Sequence, residues 1–225
     1  MANLEYAELL SENFAAWEHM SATEREEMLA NAEFLRYTKG MNIFNGENDC
    51  VGFLIVKSGM LRVYMLSEEG KEITLYRLGS GDMCILSASC VLSSINFDVH
   101  IDAEEDSIVL MVGSLFFSGL TKKNIYVECF AYKLAADRFS DVMWAMQQIL
   151  FMSMDKRLAI FLWDELAKSA GDTIHLTHEQ AARYIGSARE VVTRMLKYFA
   201  GEGIVELSRG GIKIIDKQKL RSLTI

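Results

Sequence analysis

Arg189, Glu190 and Arg194 lie within six residues of one another, on a stretch whose apolar residues recur at helical spacing. On a helix, Val191, Val192, Met195, Leu196 and Phe199 fall on one face. Ala188, Arg189, Glu190, Thr193, Arg194 and Lys197 then point the other way. A guanidinium on such a face grips O6 and N7 of guanine with two parallel hydrogen bonds, and a carboxylate accepts from N4 of cytosine. Each good pair is worth about 1–3 kcal/mol of discrimination between bases. Taken singly, these residues are the ordinary surface charges of a solvated helical bundle. Their setting is what points to nucleic acid.

Thr177 opens a short helix with Gln180 three places on, a capping box, and Ala181, Ala182 and Ile185 are its inward residues. Gly186 marks a tight turn. Ser187, with Glu190 three places on, reads as a second capping box opening a helix over 187–200. Two capped helices joined through one glycine are a helix-turn-helix. The N-terminal half of the second helix is the part that enters the major groove. Ile204-Val-Glu-Leu207 and Ile212-Lys-Ile-Ile215 then flank Ser-Arg-Gly-Gly as a hairpin, or wing, with Arg209 at its tip for a phosphate.

The charge distribution agrees. The chain of 225 residues has a net charge of −8, yet residues 151–225 carry 12 Lys+Arg against 9 Asp+Glu. The basic end is where a phosphate backbone would bind. Half the residues are apolar, as in a packed globular protein, and there is no proline. The N-terminus lacks the basic and apolar regions of a secretory signal, and the longest apolar stretch, Ile108–Leu120, is too short to span a bilayer. A cytoplasmic protein with no membrane partner is expected. Cys50, Cys84, Cys90 and Cys129 form no C-x-x-C pair, so they read as reduced, mostly buried thiols.

Several elements must position the DNA-reading segment. Residues 4–34 read as helical, with a capping box at Ser21–Glu24 and a stripe of Met28, Leu29, Ala32 and Leu35. From Phe34 to about Met111, short β-rich runs alternate with glycine turns, the pattern of an antiparallel sandwich, barrel or roll. Leu54–Val56, Leu61–Met65, Glu72–Tyr76 and Ile108–Val112 are the strand-like runs, with Ser67–Lys71 as a hairpin turn. Residues 124–152 form a long helix without a breaker. Steps of four and three from Ile125 give Cys129, Tyr132, Ala136, Phe139, Met143, Met146 and Leu150, all apolar. This is a coiled-coil type of seam and points to a dimer, the alternative being a helix packed on its own domain. Met154–Ser169 is a further amphipathic helix.

Ile185-Gly-Ser-Ala-Arg-Glu-Val-Val-Thr-Arg-Met-Leu196 resembles the signature of the CRP/FNR family of bacterial transcription regulators. Arg36-Tyr-Thr-Lys-Gly40, Ile55-Val-Lys-Ser-Gly59 and Gly81-Asp82 look like that family's β-roll turns. The resemblance implies an α+β chain: an N-terminal antiparallel β-roll of the cyclic-nucleotide-binding, jelly-roll type over residues 1–123, a dimerisation helix over 124–152, and a winged helix-turn-helix over 153–225. It implies that Arg189, Glu190 and Arg194 read bases and that Thr177 and Ser187 contact phosphate, with Thr193, Lys197 and Arg209 completing the candidate contact set. Ala188 stands where many relatives have a serine, so the resemblance does not carry over that residue's backbone contact. The implied partners are double-stranded operator DNA, a second copy of the chain, an effector, and RNA polymerase where the regulator activates.

The cyclic-nucleotide-binding members hold their ligand with a G-E-L segment and an arginine on the cyclic phosphate. Residues 84–98 contain no arginine and no glutamate, so cyclic AMP is not the expected effector. The N-terminal cysteine cluster of the iron–sulfur members is absent. His100 is the best placed of four histidines for haem, but it has no evident partner. Cys84, Cys90, His100 and Met143 are therefore the candidate sensing residues, for a thiol switch or for an apolar ligand. No lysine or arginine between Arg77 and Lys122 is available to lower a thiol pKa. The sequence assigns no cofactor. The regulator is read as a non-enzyme. The alternatives are a cupin-like roll enzyme, for which His100, Asp102, Glu104 and Glu105 lack a second histidine, and an effector-binding module without DNA binding.

Overall fold

The computed structural model describes residues 2–45, 52–85, 99–169 and 171–225. Its contacts divide the chain into two compact units: 1–66 with 75–142, and 67–74 with 143–225. Cys50 and Cys90 lie outside the described residues.

The first unit begins with α1 (Ala2–Asn13), a 3₁₀ turn (Ala15–His19) and α2 (Ala22–Ala30). Eight strands follow: β1 (Ala32–Tyr37), β2 (Asn42–Phe44), β3 (Phe53–Ser58), β4 (Leu61–Leu66), β5 (Glu72–Leu78), β6 (Met83–Cys84), β7 (His100–Ala103) and β8 (Ser107–Val112). Then come α3 (Ser114–Thr121) and α4 (Ile125–Phe151), whose residues from Met143 on belong to the second unit. The strands make two four-stranded sheets, ordered β1-β8-β3-β6 and β2-β7-β4-β5. Leu54, Val56 and Val109 pack against Leu61, Val63 and Ile101 between the sheets. Phe53, Ile55, Leu110 and Val112 turn the other way, onto Leu10, Phe14, Met28 and Phe117 of the helices. A sheet buried on both faces needs continuous apolar runs rather than alternating ones, which is why β3 reads Phe-Leu-Ile-Val.

The helical reading of residues 4–34 is corrected at its end. The Ser21–Glu24 capping box is formed, but α2 stops at Ala30. The Asn31 side chain and backbone N–H both donate to the Glu27 carbonyl, at 2.8 and 3.1 Å. Ala32 then pairs with Val112 and Leu35 with Val109, so the last two residues of the expected helical stripe belong to β1.

The second unit holds α5 (Met154–Lys168), β9 (Thr173–Ile174), α6 (His178–Tyr184), α7 (Arg189–Gly201), β10 (Val205–Ser208), β11 (Gly211–Ile214) and α8 (Lys217–Ser222). Its core joins Leu158 and Leu162 to Ala181, Val192, Leu196, Phe199, Ile212 and Leu220. Burying each large side chain contributes roughly 1.5–3 kcal/mol. Thr177 caps α6 as expected: its hydroxyl accepts from Gln180 N–H at 3.1 Å, and the Gln180 side chain accepts from Thr177 N–H at 2.8 Å. β10 and β11 form the wing, with Ser208 opposite Gly211 and Gly210 at φ +82° in the turn.

The expected capping box at Ser187 is not formed, and the second helix runs over 189–201 rather than 187–200. Gly186 takes φ +60°, and the Ser187 N–H then donates to the Ala182 carbonyl at 2.9 Å. That bond makes Ser187 part of the turn. Ala188 becomes the N-cap and has no side-chain capping bond. Arg189 and Glu190 consequently open α7. In that first turn a carboxylate is favoured by the helix dipole.

Gly186 is the position where this geometry is most exposed to mutation. A Cβ there meets only ordinary contacts, the nearest at 3.5 Å to Ile149 Cδ1, so the cost of substitution is the left-handed backbone itself. Gly186→Ala is expected to cost about 1–2 kcal/mol, and Gly186→Asn less. Thermal unfolding checks this: equal melting temperatures for the alanine variant and the wild type would refute it.

Candidate functional site

Arg189, Glu190, Thr193, Arg194 and Lys197 line one open concavity on the outer face of α7. Five of the eight expected contact residues thus come together. The buried face of the same helix is Val192, Leu196 and Phe199, with Val191 and Met195 half-buried beside it. Arg189, Arg194 and Lys197 make no ion pair or hydrogen bond to the described residues, and neither does Arg209, exposed in the wing turn. Other cations of this unit are engaged: Arg183 with Glu179 at 3.4 Å, and Lys217 with Asp172 at 2.6 Å. Thr177 uses its hydroxyl to cap α6, and Ser187 is half-buried in the turn.

α4 carries two apolar stripes. Val127, Ala131 and Leu134 are buried in its own unit. The eight seam residues, Ile125, Cys129, Tyr132, Ala136, Phe139, Met143, Met146 and Leu150, are all exposed. At about 100° per residue the two stripes lie on nearly opposite sides of the helix. Packing on its own unit therefore does not use the seam. Among the large side chains, Phe139 is 65% and Leu150 64% exposed.

The described candidate sensing residues, Cys84, His100 and Met143, each sit in a different setting. Cys84 is buried between the two sheets of the roll, its sulfur 3.9 Å from the Tyr76 hydroxyl. His100 stacks on Tyr64 at 5.2 Å on the opposite face of its sheet, and Met143 is exposed on α4. Asp102 and Glu104, considered above as metal ligands, instead face Arg62 at 3.6 and 3.9 Å. A cation does reach the Cys84 side of the roll, from a distant part of the chain. Arg138 of α4 lies over the Tyr76 ring at 5.0 Å, pairs with Asp141 at 2.8 Å and donates to the Met83 carbonyl at 3.2 Å.

Comparison with known proteins agrees with both units. A family model described as a Crp-like helix-turn-helix domain matches residues 156–223, and one described as a cyclic nucleotide-binding domain matches residues 34–124. The crystal structure of a chain assigned to the CRP/FNR family of transcriptional regulators, from Eubacterium rectale, is 45% identical. It superposes with a TM-score of 0.91 over 95% of this chain and 99% of that one. This chain belongs to the CRP/FNR family. The curated relatives of this CRP/FNR member include the cyclic AMP receptor protein of Thermus thermophilus, 25% identical over 83% of this chain and 86% of that protein. The nitrogen fixation regulation protein FixK of Bradyrhizobium diazoefficiens is 24% identical over 91% and 87%. The chain is a DNA-binding transcription regulator of CRP/FNR type with an effector-binding domain.

Sequence reasoning missed Tyr76 and Arg138. The signal for Arg138 was its register: Val127, Ala131, Leu134 and Arg138 follow one another at steps of four, three and four, so a charge continues the inward stripe of α4. Burial pushes the Tyr76 phenol well above its ordinary value, and the nearby Cys84 adds to the rise, while Arg138 opposes it. A group whose pKa is raised on folding contributes stability that is intact below its unfolded value, near 10, and lost as the pH rises beyond it. The stability advantage of the wild type over Tyr76→Phe should therefore shrink between about pH 9 and about pH 11. Denaturant unfolding at the two pH values measures this, and parallel losses in both proteins would contradict it.

Proposed function

We propose that this CRP/FNR-family regulator works as a homodimer that lays α7 of each protomer in the major groove of a near-palindromic operator. Its half-sites would lie about 10 bp apart, centre to centre. The observation that carries this is the face of α7, where Arg189, Arg194 and Lys197 stand together without a protein partner among the described residues. Arg189, Glu190 and Arg194 would read base edges. Thr177, Ser187, Thr193, Lys197 and Arg209 would contact or support the phosphate backbone. The exposed seam of α4 supplies the dimer contact, since a stripe of eight apolar positions on one helix matches what a partner helix buries.

Selection from a random duplex pool tests the reading. The expected winner is a palindrome with G·C pairs in each half-site. Arg189→Ala or Arg194→Ala should weaken binding to it by about 5- to 150-fold, equivalent to about 1–3 kcal/mol, and relax the preference at one base pair. Variants that bind as tightly and selectively as the wild type would refute the assignment. Phe139→Glu, in the seam, should yield monomers by sedimentation. A wild type that sediments as a monomer at micromolar concentration would remove the dimer.

The effector is inferred not to be cyclic AMP. Residues 84–98 supply neither the arginine nor the glutamate that its phosphate and sugar would need. Cys84 is fully buried, which favours a small ligand over a thiol switch at that residue. Titration with cyclic AMP is expected to give at most weak, millimolar-range binding, and tight saturable binding would overturn the inference.

A further inference from the structure

His178 is the first residue of α6. Its ring is half-buried against the groove-facing side of α7, with Nδ1 3.1 Å from Thr193 Oγ1. Nε2 has no hydrogen-bond partner among the described residues. The charged groups of α7 that bear on the ring are Arg189 and Lys197. On its own helix, Glu179 is exposed and bonded to Arg183 at 3.4 Å. Glu190 lines the same concavity and is exposed. A ring nitrogen open to a ligand, beside cations that form no ion pair with the described residues, makes a setting suited to an anion.

Resting on the DNA-interface reading above, we propose that His178 is a phosphate-binding residue of that interface. It engages a backbone phosphate through Nε2–H as the imidazolium, while Nδ1–H donates to the Thr193 hydroxyl, so DNA binding takes up a proton. Both ring nitrogens are donors only in the charged form. In the free protein, desolvation, followed by Arg189 and Lys197, holds the His178 pKa below its ordinary value of 6.5, so the ring is largely neutral near pH 7. A phosphate at Nε2 reverses the electrostatic balance and favours the charged form. The sign follows from linkage: where the complex binds more protons than the free protein, affinity falls as the pH rises. One phosphate contact per protomer also enters the salt dependence, at about 0.9 in the slope of log K against log salt.

The experiment uses the full-length protein with two probes, the selected palindrome and a random-sequence duplex of equal length, at constant ionic strength. The wild-type affinity for both is expected to fall at least about threefold from pH 5.5 to pH 8. His178→Gln can keep the bond to Thr193 but does not titrate. It should melt like the wild type, bind with little pH dependence, and show a salt slope at pH 6 shallower by about one per protomer. A wild type insensitive to pH overturns the proposal. So does a His178→Gln variant that keeps the wild-type pH and salt slopes, or a pH slope abolished by His175→Gln instead. Failure of the interface reading itself looks different: the wild type and both variants would then bind neither duplex at any pH.

Discussion

The arrangement of α7 depends on holding cations where no described residue forms an ion pair with them. Val192, Leu196 and Phe199 are buried, which fixes the helix in its unit and leaves no freedom to turn the opposite face inward. Arg189, Arg194 and Lys197 must then stand side by side in water. Elsewhere in the same unit, Lys217 finds a carboxylate and Lys219 a backbone carbonyl. A folded domain gains little from an exposed, unpaired cation, and clustered like charges repel at short range. The stability of the unit therefore comes from its core, and the charged face is free to be set by what it binds.

The same separation of tasks governs α4. A helix of 27 residues with one apolar stripe would have to choose between its own unit and a partner chain. Two stripes on nearly opposite sides remove the choice. Val127, Ala131 and Leu134 anchor it to the helices and sheet behind it, and the seam from Ile125 to Leu150 is left over. Arg138 extends the anchored stripe with a charge. The guanidinium is held by the ring of Tyr76, the Asp141 carboxylate and the Met83 carbonyl, while its Nε is buried without a hydrogen bond.

Local patterns in the sequence disclosed most of this, and non-local ones did not. The Thr177–Gln180 and Ser21–Glu24 boxes were legible because a capping box is a relation between residues three apart. The same rule misread Ser187, where the left-handed turn at Gly186 claims the residue before the helix can. The longer strands were visible as apolar runs, whereas β6 and β9 are two residues each and too short to show a period. Ala32 and Leu35 fitted a helical stripe by spacing and became strand by pairing with β8. Arg138 and Tyr76 are 62 positions apart, and only the fold brings them together. The outward-facing residues of α7 were all legible, being neighbours on one helix.

A net charge of −8 does not oppose this function, because charge acts on DNA over a limited distance. At physiological ionic strength the screening length is about 8 Å, so a phosphate responds mainly to groups within one or two side-chain lengths. At the outer face of α7 those groups are three cations and one carboxylate of that helix, with His178 of α6 beside them. The acidic remainder of the chain, with 22 Asp+Glu against 11 Lys+Arg over residues 1–150, weakens association elsewhere on the surface. A chain acidic over most of its length and basic at one end concentrates its attraction for a phosphate backbone at that end. That bias comes from the charge pattern and would hold even where no base is read.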